Sequence, residues 1–121
     1  MKRTLTFIVA ITIATSVWAQ HATTFVFVKI TESIMPLQRG EKYEDPLDEA
    51  LKKAGLGEVT GAGSMLTKEK TVEWIGLDVE LTDPVTGIPF LRKKLTELGA
   101  PAGSVLEYER NGETLQVPVR D

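Results

Sequence analysis

The chain has 121 residues, 42% of them hydrophobic, with 14 Lys and Arg against 17 Asp and Glu, one His and no Cys. That is one domain's worth of sequence and excludes a multidomain enzyme; the absent cysteines exclude a disulfide scaffold, thiolate metal sites, a thiol nucleophile and anchoring through an acylated cysteine. A single histidine, His21, removes most proton-shuttle and histidine-cluster chemistry, so the composition argues against catalysis and implies no cofactor or metal.

The first stretch reads as an export signal. Lys2 and Arg3 form a positive start, Leu5 to Val17 is apolar apart from small Thr and Ser, and Val17-Trp18-Ala19 offers a cleavage site. The apolar run is shorter than the roughly 20 residues needed to span a bilayer. Residues 1–19 are therefore expected to be a signal peptide and residues 20–121 a single domain. Cleavage removes Lys2 and Arg3, which leaves an acidic balance of about −5. An acidic, exported, cysteine-free domain points to the bacterial periplasm or to secretion. It disfavours nucleic acid and anionic membranes, which reward Lys and Arg, and no stable membrane anchor is expected after cleavage.

Thr23 to Thr31 is dense in β-branched and aromatic residues and predicts a first strand. Glu32 to Asp45, with Pro36 and Gly40, reads as a long turn-rich connection that either covers something or moves. Asp45-Pro46 predicts a helix start, with Asp45 as cap; Leu47, Ala50, Leu51 and Ala54 form its apolar stripe and Gly55 its left-handed stop. Asp48–Lys52 and Glu49–Lys53 are acid-first pairs four residues apart on its wet side. Leu56 to Thr60 predicts a short strand, followed by a flexible Gly61-Ala62-Gly63-Ser64 edge and a loop through Lys70.

Thr71 to Thr82 predicts the best strand of the chain, Ile75, Leu77, Val79 and Leu81 alternating with Trp74, Gly76, Asp78 and Glu80. A second helix is expected from Ile88 or Pro89 to Leu98, closed by Gly99 and Pro101. Ser104 to Glu109 and Thr114 to Val119 predict two strands joined by a type I′ turn at Asn111-Gly112. The order is β-α-β-β-α-β plus a C-terminal hairpin strand. It predicts an α+β, ferredoxin-like sandwich with the first and third strands central and both helices on one face.

In that arrangement Val26, Val28 and Ile30 share a face with the aliphatic set of the third strand and meet the helices. Phe25, Phe27 and Lys29 then join Trp74, Asp78 and Glu80 on the opposite face, the candidate interaction surface. Four fates are open to it: cover by the Glu32–Asp45 connection or the C-terminal hairpin, pairing with a second copy, binding of another protein, or a small apolar ligand. Aromatics on two central strands also mark RNA-recognition domains, but Asp78, Glu80 and the acidic balance would repel phosphate.

The remaining motifs have plainer explanations. Gly61-Ala62-Gly63-Ser64 lacks the Lys and the helix of a phosphate loop. Of Glu73, Asp78 and Glu80 only the last two share a face, too few oxygens for a hard cation. Arg92-Lys93-Lys94 is a solvated helix face. His21, second in a cleaved chain, has the makings of a weak Cu²⁺ or Ni²⁺ site that cyclisation of Gln20 would block, and no Ser–His–Asp arrangement forms around it.

The segments Leu56-Gly57-Glu58-Val59-Thr60-Gly61-x-Gly63-Ser64, Gly76-Leu77-Asp78-Val79-Glu80-Leu81, Leu91-Arg92-x-x-Leu95 and Leu98-Gly99-Ala100-Pro101-x-Gly103-Ser104, with Leu106-Glu107-Tyr108, resemble a group of small uncharacterised bacterial proteins over residues 47–109. The shared segments are turns, caps and core strands, so the resemblance implies the fold and no activity. The functional expectation is an exported, non-enzymatic protein-interaction domain, immunity-type or dimeric through its open sheet face. Its rival is a cofactor-independent enzyme or apolar-ligand carrier of the dimeric barrel type, with Trp74 and Tyr43 lining a pocket.

Overall fold

A computed structural model describes residues 22–121; the expected signal peptide at 1–19, its cleavage site and His21 lie outside the described residues. Strand β1 (Thr24–Ile30) leads into a helical run made of α1 (Pro36–Arg39), a π-helical stretch (Gly40–Glu44) and α2 (Asp45–Ala54). Strands β2 (Gly57–Leu66) and β3 (Val72–Leu81) follow, then α3 (Pro84–Glu97), β4 (Val105–Arg110) and β5 (Glu113–Pro118). The five strands form one antiparallel sheet in the order β2-β3-β1-β4-β5. The fold is α+β, and its order departs from a simple four-stranded ferredoxin sandwich by carrying β5 beyond β4.

The core follows from period-two alternation against period-3.6 stripes. Val26, Val28 and Ile30 of β1 and Ile75, Leu77, Val79 and Leu81 of β3 are buried together with Leu47 and Leu51 of α2, Ile88, Leu91 and Leu95 of α3, and Leu106 of β4. Both long helices therefore cover the same side of the sheet. Asn111 (φ 53°) and Gly112 (φ 82°) both adopt the positive φ that a type I′ turn demands, joining β4 to β5 as expected.

Three boundaries differ from the sequence reading. The Glu32–Asp45 stretch is largely helical. Met35 is extended, as a residue before proline prefers, Pro36 opens the helix, and the Gln38 side chain accepts a hydrogen bond from the Met35 N–H at 3.1 Å. Gly40 has helical dihedrals, so the run continues and Asp45 caps nothing: its N–H already bonds to the Gly40 carbonyl. Pro46 sits where the π pattern gives way to the α pattern, a place where a missing N–H is tolerated. Gly55 (φ 70°) ends α2 as expected, although Ala54 at the foot of the predicted stripe is exposed.

The second difference is β2, which runs through Gly61-Ala62-Gly63-Ser64 instead of ending at Thr60. Pairing with the long, strongly patterned β3 overrides the weak strand preference of glycine, with register shifts between Val59 and Gly61 and between Met65 and Leu66. The third is α3, which begins at Pro84, four or five residues before the expected start at Ile88 or Pro89. Asp83 accepts from the Val85 N–H at 3.0 Å and from the Thr86 hydroxyl at 2.9 Å, a cap that outweighs the interior Pro89.

The helical run is fastened to β1 by a polar clasp at its rim. Lys42 Nζ lies 2.7 Å from Glu32 Oε2, the Tyr43 hydroxyl donates to Glu32 Oε1, and the Tyr43 ring is buried in the core. Burial alone would raise the Glu32 carboxyl; the hydrogen bonds from Lys42 and Tyr43 and the lysine charge outweigh it and hold it below the ordinary value. Burial, then the bond to Glu32, pushes the Tyr43 phenol well above its usual range.

Candidate functional site

Neighbouring residues on β1 and β3 serve opposite sides of the sheet, so the side away from the helices is fixed by register. Phe25 lies opposite Glu80, Phe27 opposite Asp78 and Lys29 opposite Gly76, with Trp74 at the end of the β3 row. The six expected surface residues thus share one face, grouped into two parts.

At one end Phe27, Trp74 and Lys29 are half-buried against each other. The rings of Phe27 and Trp74 meet edge to face, centroids 5.9 Å apart at 84°, and Lys29 Nζ stands 4.8 Å from the centre of the Trp74 ring. Gly76 makes this possible: a Cβ there would lie 2.6 Å from Phe27 Cζ, so the missing side chain is the space the ring occupies. At the other end Phe25 is 48% exposed, beside Asp78 and Glu80; Glu80 accepts from the Thr23 hydroxyl at 2.5 Å.

Three carboxylates not singled out in the sequence belong to the same face. Glu107 of β4 lies opposite Phe27, Glu109 follows it at period two, and Glu58 of β2 lies opposite Glu80. The signal was available in the alternation Val105-Leu106-Glu107-Tyr108-Glu109, whose odd positions match those of β1. Glu107 accepts from the Gln116 side chain at 2.7 Å. Thr23, Phe25, Phe27, Glu107, Glu109 and Thr114 border an open groove of about 430 Å³. Glu58, Asp78, Glu80, Glu107 and Glu109 form no ion pair with any Lys or Arg among the described residues.

Of the four fates open to this face, cover by the Glu32–Asp45 connection or the C-terminal hairpin is not what the described residues adopt. The Glu32–Asp45 stretch joins the helical side, where Tyr43 is buried and Arg39 donates to the Ser64 hydroxyl at 2.8 Å. The C-terminal hairpin extends the sheet edgewise, and its tail is tied to α3 by Arg92, which reaches the Pro118 carbonyl at 2.8 Å and Asp121 at 2.7 Å. Tyr43 and Trp74 stand on opposite sides of the sheet, so the pocket expected between them does not form. Among the described residues no group of three or more acidic or histidine side chains is placed to hold a metal ion, and no helix is long and apolar enough to cross a membrane.

Among the described residues the face presents the Phe25, Phe27 and Trp74 rings, the carboxylates and Lys29. Comparison of the chain with protein-family models, curated proteins and solved structures gives no match.

Proposed function

We propose that the chain is an exported, non-enzymatic interaction domain that binds a basic protein on the uncovered side of its sheet. Export rests on the Lys2-Arg3 start and the apolar Leu5–Val17 run. A ferredoxin-like reading of the fold is supported by neighbouring interior strands β1 and β3 and by two helices on one side, with β5 as an addition.

The observation that carries the functional reading is the half-exposed Phe25 on a face with five carboxylates that form no ion pair among the described residues. An aromatic centre with a charged rim is the anatomy of a contact patch. Its sign selects the partner: Lys and Arg side chains would stack on the rings and pair with the rim, and the acidic field would speed their approach. A second copy brought face to face would set the same carboxylates against each other with, among the described residues, Lys29 to offset them, which disfavours the symmetric alternative. An immunity-type role, neutralising a basic toxin outside the cytoplasm, fits this chemistry.

The test is affinity capture from native extract by the wild type, Phe25→Ser and the double variant Glu107→Gln/Glu109→Gln. A Lys- and Arg-rich protein held by the wild type, released by salt and lost from both variants is the expected result. Retention of the same proteins by Phe25→Ser, or of none by the wild type, refutes the reading.

A further inference from the structure

The two edges of the sheet are unlike. β5 is six residues long, carries Glu113 and ends at Pro118, whose carbonyl Arg92 already occupies; short length, charge and proline are the usual protections of an edge. β2 is ten residues long, contains no proline, and has Glu58 as its one charged side chain. Its first part is shielded, because Asp48 of α2 accepts the Val59 N–H at 2.9 Å and the register shift at Thr60 bends the strand. Beyond that shift, Gly61 to Met65 pairs regularly with β3 until the second shift at Leu66.

We infer that a second copy of the chain adds to the sheet along this Gly61–Met65 stretch, antiparallel and centred on Gly63. The stretch is self-complementary in size: centring on Gly63 sets Met65 of each copy opposite Gly61 of the other, and Ala62 opposite Ser64. Met65 is 45% and Leu66 50% exposed, the largest apolar side chains on this edge, and a side chain added at Gly63 would meet nothing within 4 Å. The pairing is also compatible in charge. The stretch carries none, and an antiparallel arrangement holds the two Glu58 side chains at opposite ends, in contrast to a face-to-face dimer, which would oppose the carboxylates. The outcome is one continuous ten-stranded sheet whose two aromatic faces lie side by side and stay uncovered, so the inference stands independently of what those faces bind.

Sedimentation of the purified protein over a range of concentrations tests this, alongside Gly63→Lys, Gly63→Glu, Met65→Asp and Trp74→Glu. The wild type should be dimeric. Gly63→Lys, which sets like charges opposite each other at the centre, should weaken the dimer about fivefold or more, and Met65→Asp should weaken it through a different position. Mixing Gly63→Lys with Gly63→Glu should restore dimers of mixed composition in native mass spectrometry, an outcome that misfolded variants could not give. Trp74→Glu should leave the dimer intact. A wild type still monomeric at about 0.1 mM overturns the inference. So does a dimer that Gly63→Lys and Met65→Asp leave unweakened, or one that Trp74→Glu dissociates.

Discussion

Phe27 and Val28 are adjacent in the chain and occupy different media. Val28 points to the helices and is fully buried among Leu77, Leu106 and the α2 and α3 leucines. Phe27 points away and, among the described residues, packs edge to face on the Trp74 ring, over which the Lys29 ammonium stands. The same contrast runs along β3, where Ile75, Leu77, Val79 and Leu81 are buried while Trp74, Asp78 and Glu80 remain partly in water. A helix-covered side can be built from aliphatic residues of any order that fills the volume. On the open side, under the proposed function, the rings, the glycine and the carboxylates are what a partner would meet.

Truncation on the buried side should break the fold first. Leu77→Ala, at the centre of β3 and buried, should cost about 2–5 kcal/mol in urea unfolding, since the site cannot collapse between the sheet and two helices. Phe25→Ala, on the adjacent strand but on the open side, should change stability by less than about 0.5 kcal/mol. Equal losses would erase the proposed difference between the two sides. A smaller effect separates the two ends of the open face. Gly76→Val puts atoms where the Phe27 ring lies and should cost about 1–3 kcal/mol, with loss of the aromatic near-ultraviolet dichroism from the Phe27–Trp74 contact. An unchanged signal would mean that the ring packing does not depend on the gap at Gly76.

What could be read in advance tracks these two sides. The buried rows of β1 and β3, the α2 stripe at Leu47 and Leu51, and the Asn111-Gly112 turn were legible because alternation, helical period and turn chemistry each act within a few residues. The placement of Phe25, Phe27, Lys29, Trp74, Asp78 and Glu80 on one face followed from the same alternation once β1 and β3 were taken as neighbours. The Gly61–Ser64 strand and the helical Pro36–Glu44 run were not legible, since glycine and proline read locally as turns while strand pairing and the burial of Tyr43 decide the outcome from a distance. Glu107, Glu109 and Glu58 were missed for a related reason: their membership of the face depends on which strands flank the central pair.

The smallest effect concerns an ionic feature at the rim of the buried side, the Glu32–Lys42 pair. Glu32 is fastened by Lys42 and Tyr43 at the rim of the helical layer and titrates below its ordinary value of 4.5. A carboxyl whose folded value is depressed adds stability that is complete above the unfolded value and fades as the pH falls through the folded one. Stability should therefore decline as the solution is acidified from about pH 5 downwards, and Glu32→Gln should flatten that part of the profile. Tyr43→Phe keeps the buried ring and removes the phenolic bond. It should cost about 1.5 kcal/mol at neutral pH, the low end for a hydrogen bond to a charged group, and less once Glu32 is protonated. Urea midpoints of the three proteins between pH 3 and 7 decide it. Parallel profiles would mean that the clasp merely accompanies the packing of Tyr43, and that the buried side is held by its apolar contacts alone.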